Sequence, residues 1–403
     1  MSNTMSSPEP NRSVPGPTTA TDPRSPRVSL VVFIDALGWE VLKGRKFLEE
    51  RLPFRRKLRS VFGFSSACIP SILTGLMPRD HRHWSFFYYS PQTSPFRPLK
   101  LLGLLPKAIV DRGRVRNLIS KLVKRFYGYT GYFQLYNIPF DQIDQFDYCE
   151  KRDLFVPGGM NRGQNIFDHL EAAGVPYHVS NWREPEEQNL EALKADLRQG
   201  QIRFALLYMA AMDALLHEAG KESPLVDDKL AWYERELEAV LKVAGEHYAE
   251  VRLFICSDHG MATIHTHLDL MTQVEGLGLT FGRDYTATYD STMGRFWFHQ
   301  PEARNRILEL LEGISEGRIL PPEELQSLGC DFEGDQYGEL IFLANPGVLV
   351  VPSHMGLKPI TGMHGYHPDD ADSDASLLAN VAPPVDAQVI TDVFHLMRAE
   401  AGV

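Results

Sequence analysis

The stretch Val28-Ser-Leu-Val-Val-Phe-Ile-Asp35 decides the fold. Val28 to Ile34 is an almost unbroken apolar, β-branched run. Such a run reads as a strand buried on both faces, the pattern of a parallel sheet. It ends abruptly in a carboxylate. Two later stretches repeat it, Arg203-Phe-Ala-Leu-Leu-Tyr-Met209 and Val251-Arg-Leu-Phe-Ile-Cys256. Helical patterns lie around them: Asn165 to Ala173, stopped by Gly174, and a long amphipathic one from Val226 to Tyr248. Strands alternating with helices predict an α/β fold, a doubly wound, mostly parallel sheet with helices on both faces.

Two stretches break this rhythm and read as cap insertions at one end of the sheet, at about 81–156 and 263–355. The first holds a basic segment from Arg97 to Arg125, then the aromatic residues Phe126, Tyr127, Tyr129, Tyr132, Phe133 and Tyr136. Ahead of the sheet, residues 1–27 are rich in Ser, Pro and Thr and are expected to be disordered, with the ordered catalytic domain spanning 28–403. They contain no apolar signal-peptide core, and no run is long enough to span a bilayer, so a cytoplasmic location is expected. The four cysteines, Cys68, Cys149, Cys256 and Cys330, form no CxxC pair. That argues against a disulfide framework and a thiolate zinc site. With a net charge of −11, the chain is a poor general nucleic-acid binder, and any phosphate site must be made positive locally.

The chemistry gathers where the strands end. Asp35 follows the first strand. The second leads to Asp213 and His217, whose i, i+4 spacing on a helical turn puts both side chains on one face. The third leads to Ser257-Asp258-His259-Gly260-Met261. In doubly wound sheets the ligand site lies beyond the carboxyl ends of the strands. Carboxylates crowded there need cations, and mixed Asp/His ligation suits Zn²⁺ or a similar ion. Each pair alone reads as well as a capped turn or a satisfied core histidine; their convergence favours metal. Ser65 and Ser66 lie at the start of a short helix expected near Ser66. A hydroxyl there can attack phosphorus, or simply cap the helix. His364, in Thr361-Gly-Met-His-Gly-Tyr-His-Pro-Asp-Asp370, is a further ligand candidate, with His367 ranked behind it.

These five pieces in this order resemble the alkaline phosphatase superfamily, most closely its type I phosphodiesterase/nucleotide pyrophosphatase branch. The resemblance runs from Val28 to about Phe394 and is weak across the insertions. It implies that the nucleophile lies nine residues before the Thr of Thr74-Gly75, which is Ser65 rather than Ser66. It implies two divalent ions, zinc or alternatively manganese. Asp213, His217 and His364 would hold one; Asp35, Asp258 and His259 would hold the other, with Ser65 bound to it. The activity implied is hydrolysis of phosphodiester or pyrophosphate bonds through a covalent seryl-phosphate, on a small phosphate ester or nucleotide-like substrate. A phosphomonoesterase or phosphonate hydrolase of the superfamily is the alternative, and a phosphomutase or a non-catalytic metal scaffold stands further off. The pattern departs from the family at Ala67-Cys68, where a Pro-Asn often supplies an Asn contact to phosphate. The Pro and Arg of the sulfatase motif are missing at the nucleophile register. The basic segment 97–125 could rest on an anionic membrane or grip an acidic substrate, or be a solvated cap helix; Arg295 is a possible phosphate contact.

Overall fold

The computed structural model describes residues 24–403. Of the expected disordered tail, residues 1–23 lie outside the described residues. The last three, 25–27, do not fit the expectation, because strand β1 is Ser25–Ile34. Ser25 and Arg27 pair with Tyr248 and Glu250 of a neighbouring strand, and Pro26, with no N–H to donate, stays out of the register.

The central sheet has six strands: β1, β2 (Phe54–Leu58), β3 (Tyr177–Val179), β4 (Phe204–Met209), β5 (Tyr248–Cys256) and β6 (Ala375–Ala379). Their spatial order is β2-β6-β5-β1-β4-β3. β1, β3, β4 and β5 run parallel, while β6 runs antiparallel between β5 and β2. β5 begins at Tyr248 rather than Val251, because the preceding helix stops at His247 and the chain turns straight into the strand.

Seven longer helices matter here: α1 (Ser65–Thr74), α2 (Gly113–Tyr127), α3 (Ile166–Ala172), α4 (Glu186–Gln199), α5 (Ala211–Ala219), α6 (Pro224–His247) and α7 (Asp392–Ala401). Alternation along β1 sorts them onto two faces. Val31 and Phe33 pack with α1, α3 and α7. Leu30, Val32 and Ile34 pack with α4, α5 and α6. Each such apolar side chain contributes ~1.5–3 kcal/mol on burial, which is why a strand covered on both faces carries almost no polar residue.

Residues 81–156 contain α2 and a two-stranded antiparallel pair, Phe87–Tyr89 with Phe146–Tyr148, around a core that includes Phe96, Phe133 and Tyr148. Residues 263–355 contain a four-stranded antiparallel sheet ordered Tyr285–Tyr289, Met293–Phe298, Leu340–Ala344, Gly317–Ile319. Met293, Ile341 and Leu343 of this sheet belong to the same core as α1 and α7, and Trp297 belongs to the core around Phe133.

Candidate metal centre

Parallel register brings the strand ends together. Ile34 lies beside Met209, and Phe33 beside Cys256. Asp35 continues β1, its amide held by Met209 O at 2.9 Å. Asp213 sits in the first turn of α5, and Asp258 two residues past β5. His217 Nδ1 donates to Gly362 O at 2.8 Å, which aims Nε2 at Asp213 Oδ1, 3.3 Å away. His364 follows the short strand Gly362–Met363 and brings its Nε2 within 3.5 Å of the same oxygen. Gly365 has φ +89°, and a Cβ there would lie 2.5 Å from the Phe64 ring. The bare glycine lets Phe64, which precedes α1, pack edge-on against His364 at 5.7 Å between ring centroids.

His259 is the hub. Its Nδ1 donates to Gly260 O at 2.9 Å. Its Nε2 faces Asp258 Oδ2 at 3.2 Å, Asp35 Oδ1 at 3.6 Å and Ser65 Oγ at 3.1 Å. The ring stacks on His364 with centroids 3.7 Å apart. Two groups therefore have ligand atoms mutually within 4.8 Å: Asp35, Asp258 and His259, and Asp213, His259 and His364. The second differs from the expected set. His259 takes part in both groups, drawn in by three carboxylates, while His217 stands just outside, still on the Asp213 oxygen.

Electrostatics say what the cluster needs. Burial raises the Asp35 carboxyl well above its usual range, and Asp258 and Asp213 push it further. Burial raises Asp213 as well, against the opposing pull of His217. Burial would lower His259, but Asp258, Asp35 and Asp213 outweigh it and hold the imidazole up at about 10. His364 is driven well below the usual histidine range by burial and by the other two imidazoles. Asp35 Oδ1, Asp213 Oδ1, Asp258 Oδ2 and His364 Nδ1 are buried with no hydrogen-bond partner. An unsatisfied buried polar atom costs ~1–3 kcal/mol, and more when charged. Three such oxygens converging with imidazole nitrogens fit a divalent cation of the zinc or manganese kind.

The two serines separate cleanly. α1 starts at Ser65, one residue before the expected Ser66. Ser66 Oγ is committed to Trp84 O at 2.7 Å, whereas Ser65 Oγ faces the cluster. Cys68, where the family often carries Asn, is buried in the core with Sγ 3.5 Å from Ser60 Oγ. His367 does not join the cluster; its Nε2 pairs with Glu324 at 3.0 Å. Arg295 is also no phosphate contact: it is fully buried and held by Asp290 Oδ2 at 2.9 Å and by Ser85 Oγ.

A cavity of about 500 Å³ opens over Ser65, Asp35, Asp213, His217 and His364. Phe86, Tyr132, Tyr136 and Trp182 form an aromatic wall, Leu349 to Val351 and Met363 an apolar one, with Glu150 beside the tyrosines. None of the nine basic residues of 97–125 lines it, which removes the idea that they grip a substrate there. Sequence reasoning missed Tyr208, whose hydroxyl donates to Asp35 Oδ2 at 2.5 Å. A lone phenol near the end of an otherwise apolar buried strand was its only signal. Trp182, Phe86 and Glu150 carried none.

The profile of the type I phosphodiesterase / nucleotide pyrophosphatase family matches residues 29–367. The chain belongs to this family. It is accordingly a hydrolase acting on phosphorus ester bonds. No curated protein sequence matches it. Human ectonucleotide pyrophosphatase/phosphodiesterase 5 shares the fold at a TM-score of 0.67 with 14% identity, covering 93% of this chain and 95% of that one. The murine protein, solved as an inactive variant in complex with AMP, gives 0.65 and 15%, covering 94% and 95%.

Proposed function

We propose that this phosphodiesterase-family chain cleaves a phosphodiester or pyrophosphate bond in a nucleotide-like small molecule, with Ser65 as nucleophile. The observation that carries this is Ser65 Oγ at 3.1 Å from His259 Nε2, at a helix N-terminus and beside three buried carboxylate oxygens that no hydrogen bond satisfies. Asp213, His217 and His364 would hold one divalent ion, and Asp35, Asp258 and His259, with Ser65, the other; zinc suits this donor set and manganese is the alternative. Bound there, such ions supply the positive charge that neutralises the carboxylates and favours the serine alkoxide.

The remaining roles belong to the chain. Ser65 Oγ bonds to phosphorus as the leaving oxygen departs, giving a seryl-phosphate that still carries the second ester substituent; water then cleaves the serine–phosphorus bond, releasing the phosphate monoester and restoring the Ser65 hydroxyl. The amides of Ser65 and Ser66 open α1 and have no helical acceptor, so they are free to take a phosphoryl oxygen in place of the absent Asn. Tyr208 fixes the orientation of Asp35. The cavity beyond the cluster favours a diester over a monoester, since it gives a second ester substituent an aromatic wall to lie on. The AMP held by the murine relative is consistent with a nucleotide there. A cytoplasmic location is part of the same proposal, and four buried free thiols support it.

The test is Ser65→Ala assayed on a nitrophenyl phosphodiester with zinc or manganese supplied. The expected result is a loss of at least about a thousandfold in kcat with an unchanged melting temperature. Retained full activity would remove Ser65 from the role.

A further inference from the structure

Eight of the thirteen exposed large apolar side chains among the described residues fall between Leu101 and Tyr127. Leu104 is 85% exposed and Phe126 82%. They are not scattered. Along α2, Leu118, Leu122 and Phe126 recur every four residues and form one outward stripe. The opposite face, with Arg116, Ser120 and Val123, is buried. The short helix Lys107–Val110 packs both on α2 and on the preceding 3₁₀ turn, Arg97–Leu104, so the exposed Ile109, Leu104 and Leu101 continue the apolar surface away from α2.

The charges on this surface run against those of the whole chain. Lys107, Arg112, Arg114, Lys121 and Arg125 are exposed. Among the described residues none of them has a carboxylate within 4 Å, whereas Lys100 pairs with Asp144 and the buried Arg116 with Asp111. Arg114, Lys121 and Arg125 border the apolar stripe of α2. In a protein of net charge −11 this is a concentrated positive, greasy face.

We propose that residues 97–127 form a docking surface for an anionic lipid bilayer. A bilayer interface offers both things the surface lacks, an apolar medium for the leucines and phenylalanine and fixed negative charge for the lysines and arginines. A second copy of the chain fits badly, because it would bring five unpaired cations against five. Docking would also set the pocket near the interface. The same cap supplies Tyr132 and Tyr136 to the cavity, and Asn137 N donates to His354 O at 2.8 Å, tying in the loop whose Leu357 is exposed. The proposal stands apart from the hydrolase reading, since its test measures binding rather than turnover.

The experiment is sedimentation of the full chain with vesicles of phosphatidylcholine, with and without a third of phosphatidylserine. Expected is partition onto the anionic vesicles that weakens with added salt. Lys121→Gln with Arg125→Gln should lower it by roughly 25-fold, at about fivefold per cation removed. Leu122→Asp with Phe126→Ser should also lower it. Melting temperature and diester hydrolysis without vesicles should stay at the parent level, showing that the variants fold. Equal binding to neutral vesicles, or no sedimentation of the folded protein, would overturn the proposal. So would a mass doubling in light scattering that Leu122→Asp abolishes, which would assign the face to a second copy.

Discussion

The cavity has two ends built on opposite principles. At the ligand cluster, carboxylates are buried without hydrogen-bond partners and imidazoles are stacked against one another, an arrangement unstable by itself. At the cap wall, half-exposed aromatic side chains face the buried Leu349 and Val350, and Glu150 beside the tyrosines is held neutral: burial, with Asp153 nearby, lifts it to about 8. Strain for chemistry is concentrated at one end, and packing for recognition at the other. Substitutions at the two ends should therefore fail in different ways.

The largest effect belongs to the cluster. Asp35→Asn keeps an acceptor for Tyr208 but removes a ligand and a repelling charge. Activity should fall at least about a thousandfold, while the chelated protein melts higher, by about 1 kcal/mol of stability. A chelated protein that melts lower would contradict the account of the cluster as destabilising. Next comes Tyr208→Phe, which frees Asp35 Oδ2. Loss of such an orienting contact costs ~10–100-fold in activity or metal affinity, and titration of activity with zinc would show it.

At the wall, Trp182→Ala should raise KM on a nucleotide diester about tenfold with kcat nearly unchanged, since base–aromatic stacking is worth ~1–3 kcal/mol. A matching fall in kcat would mean that the wall shapes the reacting centre too. The smallest effect is Glu150→Gln. Between pH 4.5 and 8 an unfolded Glu150 has lost its proton while the folded one keeps it. The unfolded state binds fewer protons, so this group erodes stability as pH rises through that window. The glutamine variant should lack that slope, and thermal melts at pH 5 and pH 8 would compare the two.

The same contrast explains what the sequence disclosed. β1, β4 and β5 were legible because burial on both faces leaves an uninterrupted apolar run, and their acids stood out at the ends. β2, with Phe54-Arg-Arg-Lys-Leu58, and the short β3 and β6 were not, because an edge or brief strand borrows its order from its neighbours. Ligand types and spacing pointed to Asp213, His217, Asp258, His259 and His364. The hub position of His259 was hidden, since it depends on three carboxylates arriving from different strands. The wall is legible only in part: Tyr132 and Tyr136 stand in the aromatic run after the basic segment, whereas Phe86, Glu150, Trp182 and Leu349 share no local pattern.

Met293, Ile341 and Leu343 extend from the antiparallel sheet into the core that supports α1. That piece of the cap is thus a beam of the building and not a door hung on it. Lifting it would tear open the interior, so this side of the cavity keeps its shape while substrates come and go, and that fixed outline is itself a filter on what the enzyme meets.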